Sequence, residues 1–272
     1  MAVDGFLSAL ATVVYGLFLI GAVFIYISLV RQIRARGPET EAIPIRHFGL
    51  PEVVLAVLLA GWFLLGVVAS AVASRKVTSM HNRDLLVSAL FTIGLAFFIA
   101  AFLRLRGLNL TSLAGFAKIG FGRAVATGAV LLLAAYPLVL VASAVTQSLL
   151  RGVSDKQGIV ELFNSSSTLD QRVLIILLAV AIAPIAEEFF FRFFLYGVMK
   201  QYFGAGLGAL VSALLFAAVH AHLPSFAPLF VLGICFTIAY EWTGSLLVSM
   251  TMHALFNSLA LVALAFPDTF PQ

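Results

Sequence analysis

Long apolar runs, separated by short polar stretches, dominate this chain. They cover 6–30, 51–73, 85–103, 124–150, 173–200, 205–221, 226–241 and 244–266. A helix needs about 20 mostly apolar residues to cross the hydrocarbon core of a bilayer. In lipid, backbone polar groups must be satisfied internally, which helices do within one segment. The pattern therefore predicts an all-α, polytopic integral membrane protein with about eight transmembrane helices. The sixth and seventh runs are short and separated only by 222–225. Pro184 falls inside the fifth run and predicts a kink or break just before Glu187.

The polar stretches 31–50, 104–123 and 151–172 separate the early spans. The last carries Ser165, Ser166 and Ser167, which read as a loop before a helix N-cap at Thr168 or Asp170. The run 6–30 is too long for a signal h-region and no Lys or Arg precedes it, so it reads as a first span. The organisation expected is motif-free spans over 1–165, a site-bearing membrane domain over 166–266 and a short tail over 267–272.

Composition agrees with solvation by lipid. Hydrophobic residues make up 62% and charged residues 10%, against about 45–50% and about 25% in soluble domains. The net charge of +4 fits basic loops at anionic headgroups. No basic patch interleaved with aromatics is present, so nucleic acid is set aside as a partner. Lys and Arg in the loops after spans one, three and five (Arg31, Arg34, Arg36, Arg46, Arg104, Arg106, Lys118, Arg123, Lys200) number nine. Arg75, Lys76, Arg83, Arg151, Lys156 and Arg172 on the other side number six. The balance favours both termini outside. The single cysteine, Cys235, cannot form an internal disulfide and lies in an apolar run, which suits packing.

The carboxylates locate the chemistry. Of five Asp and seven Glu, only Glu187 and Glu188 fall deep within a span. Glu241 lies near a span end and borders the polar turn of Trp242, Thr243 and Gly244, which reads as interfacial. An ionisable group at the bilayer centre costs about 2.5–3.5 kcal/mol on insertion scales, so two adjacent ones need partners. Glu188 and Arg192 are four apart and can pair on one helical face. Glu187 lies about 100° round the helix without a local cation, which suits a general base or acid.

Histidines divide in the same way. His47 and His81 lie in loops and read as solvated. His220 ends the sixth run, four residues after Phe216, and His253 precedes Asn257 by four within the last. His222 sits in a turn before Pro224 and is expected to face elsewhere. Interhelical hydrogen bonding would explain any one of these polar groups alone. Glu187, Glu188, Arg192, His220, His253 and Asn257 together, with helical spacing within each group, point to a shared site.

The sequence lacks H-E-x-x-H, G-x-S-x-G and a pair of intramembrane aspartates. What remains is glutamate and histidine acting on water, with or without a metal. A proton-coupled transporter would use similar buried carboxylates, but the chain has no internal repeat of the kind such transporters carry.

The patterns Glu187-Glu188 with Arg192, Phe216 with His220, and His253 with Asn257 resemble the type II CAAX prenyl endopeptidases and their prokaryotic relatives, among them bacteriocin-processing and bacteriocin-immunity proteins. The segment from Tyr240 to Leu246 looks similar too, and the resemblance covers about 170–265. It implies an intramembrane peptide hydrolase in which Glu187 and His220 activate water, and His253 and Asn257 stabilise the oxyanion. Glu188 and Arg192 would be a structural or positioning pair. A competing implication makes Glu187, His220 and His253 ligands of a divalent metal such as zinc, two His and a carboxylate being a workable set. The substrate implied is a membrane-associated peptide or lipidated protein, of CAAX type in the eukaryotic members. The alternative is a non-catalytic scaffold or immunity-type binding protein of the same fold.

Overall fold

The computed structural model describes residues 2–37, 42–43, 47–72, 82–150, 163, 166 and 168–266. Every regular element among them is helical. The N-terminal elements are α1 (Ala2–Ala35), α2 (Leu50–Val72), α3 (Asn82–Leu105), the single turn α4 (Leu110–Leu113) and α5 (Phe121–Leu149). A continuous helical run, Leu169–Val219, follows. It comprises α6 (Leu169–Leu177), a π-helical turn (Leu178–Ile182), α7 (Ala183–Glu188), a second π-helical turn (Phe189–Leu195) and α8 (Tyr196–Val219). Two further helices, α9 (Leu223–Thr243) and α10 (Leu246–Ala265), complete the fold.

Seven of these helical segments are long and apolar enough to cross a membrane. The sequence suggests eight runs, and the difference lies at one residue. Runs 173–200 and 205–221 belong to one 51-residue segment, about 75 Å if straight, which exceeds any bilayer core. Gly204, at φ 79° and ψ 165°, breaks it into two arms. Only glycine adopts that backbone without strain. The chain is thus an all-α polytopic integral membrane protein of roughly eight helices. Large apolar side chains such as Phe18, Phe24, Leu65, Phe97 and Leu133 are exposed on its outer faces, as lipid solvation requires.

Pro184 does not break its helix. A proline ring clashes with the carbonyl four residues earlier, here that of Val180. Val180 lies in the first π-helical turn, whose wider pitch shifts the carbonyls out of α-register. The distortion lies just ahead of the proline, and the helix continues through Glu187 and Glu188. At the start of the run, Thr168 is the N-cap, its hydroxyl accepting from the Gln171 amide at 3.4 Å.

The two halves of the chain share one core. It runs from Tyr26 and Leu29 through Leu131 and Ala135 to Phe216, Phe236 and Met252. Helix α5 packs against α9 and α10, α1 against α5 and α9, and α2 against α8. Tyr26 donates to the Leu131 carbonyl at 2.8 Å, tying α1 to α5. The turn between α9 and α10 is seated on the segment after α4. There the Leu246 amide donates to the Ala114 carbonyl at 2.9 Å. Gly115 (φ 69°) approaches Gly244 so closely that an added Cβ would lie 1.8 Å from its carbonyl oxygen. The N-terminal half therefore fixes where α10, and His253 on it, begins.

Candidate active site

The second π-helical turn and α7 carry the polar residues, and their aromatic neighbours wall them in. Phe191 stacks on Phe63 of α2 (centroids 5.2 Å) and meets Phe216 edge-on (5.5 Å). Phe194 meets Phe48 edge-on at 6.2 Å. π-helical turns recur at functional sites because they reorient side chains within a helix. Here one lies on each side of the glutamate pair.

Glu188 and Arg192 are fully buried, with no side-chain exposure. Glu188 Oε1 accepts from Arg192 Nη1 at 3.0 Å and from His253 Nδ1 at 3.1 Å. Arg192 Nη2 donates to the Gly233 carbonyl at 3.3 Å. The guanidinium lies over the rings of Phe216 (4.2 Å) and Phe236 (5.1 Å), so cation–π attraction adds to the ion pair. A side chain at Gly233 would press on this guanidinium, its Cβ 3.2 Å from Nη2.

Glu187 differs from its neighbour. Its side chain is 25% exposed, and Oε2 stands 3.8 Å from His253 Nε2. That oxygen is buried and has no hydrogen-bond partner. His253 therefore lies between two carboxylates, bonded to Glu188 through one nitrogen and facing Glu187 with the other. A carboxylate only accepts, so Nδ1 is the donor toward Glu188.

His220 is joined to the group through Phe216. Its Nδ1 bonds the Phe216 carbonyl at 2.8 Å, which makes Nδ1 the donor and leaves Nε2 as the acceptor in the neutral ring. The rings of His220 and His253 both stand edge-on to Phe216, at 5.0 and 5.5 Å. Asn257 lies one turn beyond His253, but its Nδ2 donates to the Ala179 carbonyl in the first π-helical turn, at 2.7 Å. The amide thus pins α10 to the distorted stretch of the site helix.

The structure brings Glu187, Glu188, Arg192 and His253 into one cluster, with His220 across Phe216 and Asn257 on the flank. No three His, Cys, Asp or Glu side chains among the described residues lie together as a metal-binding group. The donors Glu187, His220 and His253 thus do not fit a three-ligand zinc set as arranged.

Over this same stretch the chain matches a known family. Residues 169–259 match the model of the Rce1-like type II CAAX prenyl endopeptidases. The matched segment contains all seven residues of the motifs, so the resemblance read from their spacing is shown over this third of the chain. No curated protein and no solved structure matches.

The remaining sequence expectations divide. His47 is exposed as expected, Ser166 is buried in the loop ahead of α6, and Cys235 is free and buried. His81, Ser165 and Ser167 lie outside the described residues. His222 is buried and bonds Ser225 through Nδ1 at 2.7 Å. Two expectations need correction. Glu241, expected beside a polar turn at a span end, is not solvated there but is buried in the last turn of α9, bonded to Lys200 Nζ at 2.9 and 3.1 Å. Lys200, in turn, is not a loop cation but a buried partner within α8. Its charge is neutralised inside the protein, so it belongs in no balance of loop charges. Sequence reading missed this pair because each residue sits at the end of an apolar run. The signal lay in the spacing of Glu188, Arg192, Tyr196 and Lys200, each four residues from the last.

Proposed function

We propose that this integral membrane protein is an intramembrane endopeptidase that hydrolyses a peptide bond of a membrane-associated substrate with an activated water. The observation that carries the reading is the half-buried Glu187 carboxylate, its Oε2 unpartnered and 3.8 Å from His253 Nε2. Beside it, the charge of Glu188 is neutralised by Arg192. One carboxylate is thus committed to structure and the other is left for chemistry. The match to an endopeptidase family over 169–259 supports the same reading.

In this mechanism a water beside the Glu187–His253 gap hydrogen-bonds Glu187, and Glu187 takes its proton as the oxygen attacks the peptide carbonyl. His220 Nε2, an acceptor in the neutral ring, orients that water or shares its proton. The tetrahedral oxyanion then needs donors in a low-dielectric cavity, where they are worth most. With Nδ1–H held by Glu188, the Nε2 of His253 supplies one when it carries the ring's second proton. Asn257 acts mainly by holding α10 on the first π-helical turn, since its amide already serves Ala179. Glu187 returns the proton to the leaving amine as the intermediate collapses.

The substrate class proposed is a lipidated peptide, of which the prenylated CAAX type is the first to test. An apolar cleft of about 410 Å3 runs beside the site, lined by Ala96 and Phe97 of α3, by Ile185, Ala186 and Phe189 next to Glu187, and by Met250 of α10. Its lining suits a hydrocarbon chain. The setting proposed is the plasma membrane of a prokaryote. The test is cleavage of a farnesylated CAAX peptide by the purified protein in proteoliposomes, with the Glu187→Gln protein as the control. Cleavage lost in the variant is the expected result. Equal cleavage by both proteins would sink the reading.

A further inference from the structure

The site helix and α9 are joined by a buried polar seam that runs well beyond the proposed site. Glu188, Arg192, Tyr196 and Lys200 recur at four-residue intervals, and so do Gly233, Thr237 and Glu241 on α9. Side chains four apart form a ridge on a helix surface, and such ridges interdigitate when helices pack. Here the two ridges meet rung by rung. Arg192 donates to the Gly233 carbonyl at 3.3 Å, and the Thr237 hydroxyl donates to the same carbonyl at 3.0 Å. Tyr196 donates its hydroxyl to Glu241 Oε1. Lys200 Nζ donates to Glu241 at 2.9 and 3.1 Å and to the Ile43 carbonyl at 2.7 Å. Outside the seam, Arg36 of the segment after α1 donates to the Trp242 carbonyl at 2.8 Å.

We infer that Tyr196, Lys200 and Glu241 are positioning residues that fix the register of the site helix on α9, and so place Arg192, Glu188 and His253 for catalysis. The inference deepens the endopeptidase reading and rests on it for its kinetic arm. The physical argument has two steps. An apolar interface tolerates sliding between neighbouring packings, because any hydrophobic side chain satisfies the next. A buried ion pair does not tolerate it, since a displaced register would leave Lys200 and Glu241 charged, desolvated and unpaired. The error would be passed on, because Arg192 reaches Gly233 on α9 from the same helix that presents Glu188. Lys200 and Glu241 lie about 18 Å along the helix from Glu188, so they touch no reacting atom.

A stability role and a positioning role predict different behaviour of one variant. In Tyr196→Phe/Lys200→Met/Glu241→Met every polar group of the far rungs is replaced by an apolar one of similar size. Such replacement of a buried ion pair is commonly neutral or stabilising. The expected result is a Tm at or above wild type, a KM for the peptide within about threefold, and a kcat lower by about 10²-fold, the scale of a 1 Å misplacement. Wild-type kcat at wild-type Tm would overturn the inference. A second arm does not need activity. Spin labels at Ile185→Cys on α7 and Leu223→Cys at the start of α9, both exposed positions, are placed in a Cys235→Ala background. The distance distribution should shift or broaden in the triple variant, and an unchanged distribution would also overturn it. If the wild type cuts no substrate, the endopeptidase reading fails and the spin-label arm alone decides the register.

Discussion

His253 donates Nδ1 to Glu188 at 3.1 Å, and this bond turns its other nitrogen toward Glu187, 3.8 Å away. A single ring therefore links the carboxylate that is paired to the one that is not. Glu188 is buried against Arg192 and accepts from that ring. Glu187 keeps some exposure and an unpartnered oxygen. In the proposed mechanism the adjacent glutamates, alike in sequence, divide between structure and chemistry according to what faces each of them.

That division predicts that Glu187→Gln removes cleavage and leaves the fold. General acid–base groups contribute about 10²–10⁴-fold, so turnover should fall by at least that order. Size-exclusion behaviour and Tm should match wild type, because Glu187 Oε2 makes no hydrogen bond that would be lost.

Arg192→Ala should behave in the opposite way. It strips Glu188 of its counter-charge and vacates the space over Phe216 and Phe236. Removing one partner of a buried pair costs about 3–5 kcal/mol. Folded yield and Tm should both drop. Arg192→Lys should not restore them, since a lysine cannot reach Glu188 and the Gly233 carbonyl with one planar group. An Arg192→Ala protein with unchanged Tm would show that the pair does not hold the site.

How much of this was legible in the sequence follows from the range of each interaction. The Glu188–Arg192 pair lies within one helix, so spacing alone discloses it. The apolar runs disclose the helices for the same reason. The join of the fifth and sixth runs at Gly204 was not legible, because a single φ of 79° decides whether they are one helix or two. The π-helical turns were not legible either; the second carries Phe191 and Phe194, whose ring partners Phe63 and Phe48 lie far away in the sequence. Lys200 with Glu241 is a contact across 41 residues, and each looked like an ordinary charge at a span end. Asn257 was read correctly as sharing a face with His253, yet its partner, Ala179, is a backbone carbonyl on another element.

For His220 the test is an asparagine. Its Nδ1 donates to the Phe216 carbonyl, and an asparagine amide can occupy nearly the same position. His220→Asn should therefore keep the Tm and lose cleavage, because the donor to Phe216 is retained while Nε2 is lost with the rest of the ring. His220→Ala should lose cleavage and some stability as well. Cleavage retained by His220→Asn would mean the ring acts only as a brace on Phe216.

Asn257→Ala separates pinning from oxyanion stabilisation. Loss of the 2.7 Å bond to Ala179 leaves a carbonyl of the π-helical turn unpaired, so Tm should fall, by an amount equivalent to about 0.5–1.5 kcal/mol. Asn257→Ser should recover part of that loss if the hydroxyl can reach the carbonyl. A turnover loss of about 10²–10³ with no change in Tm would instead assign Asn257 as an oxyanion donor.

The metal question turns on donor geometry. A three-ligand site needs its donors about 2 Å from one ion, and each nitrogen used must be free of other bonds. The Nδ1 bonds of His253 to Glu188 and of His220 to the Phe216 carbonyl leave Nε2 of each ring as the available donor, and His253 Nε2 lies 3.8 Å from Glu187 Oε2. What the arrangement lacks is the third member: no three such side chains among the described residues gather as a metal-binding group. The arrangement as it stands predicts that overnight dialysis against a chelator leaves cleavage unchanged, and that the purified protein carries zinc at well under one equivalent. Two measurements check this: metal content by mass spectrometry, and turnover before and after dialysis. Cleavage that vanishes on dialysis and returns with added zinc would reassign Glu187, His220 and His253 as ligands, and the role of Glu187 as base would fall with it.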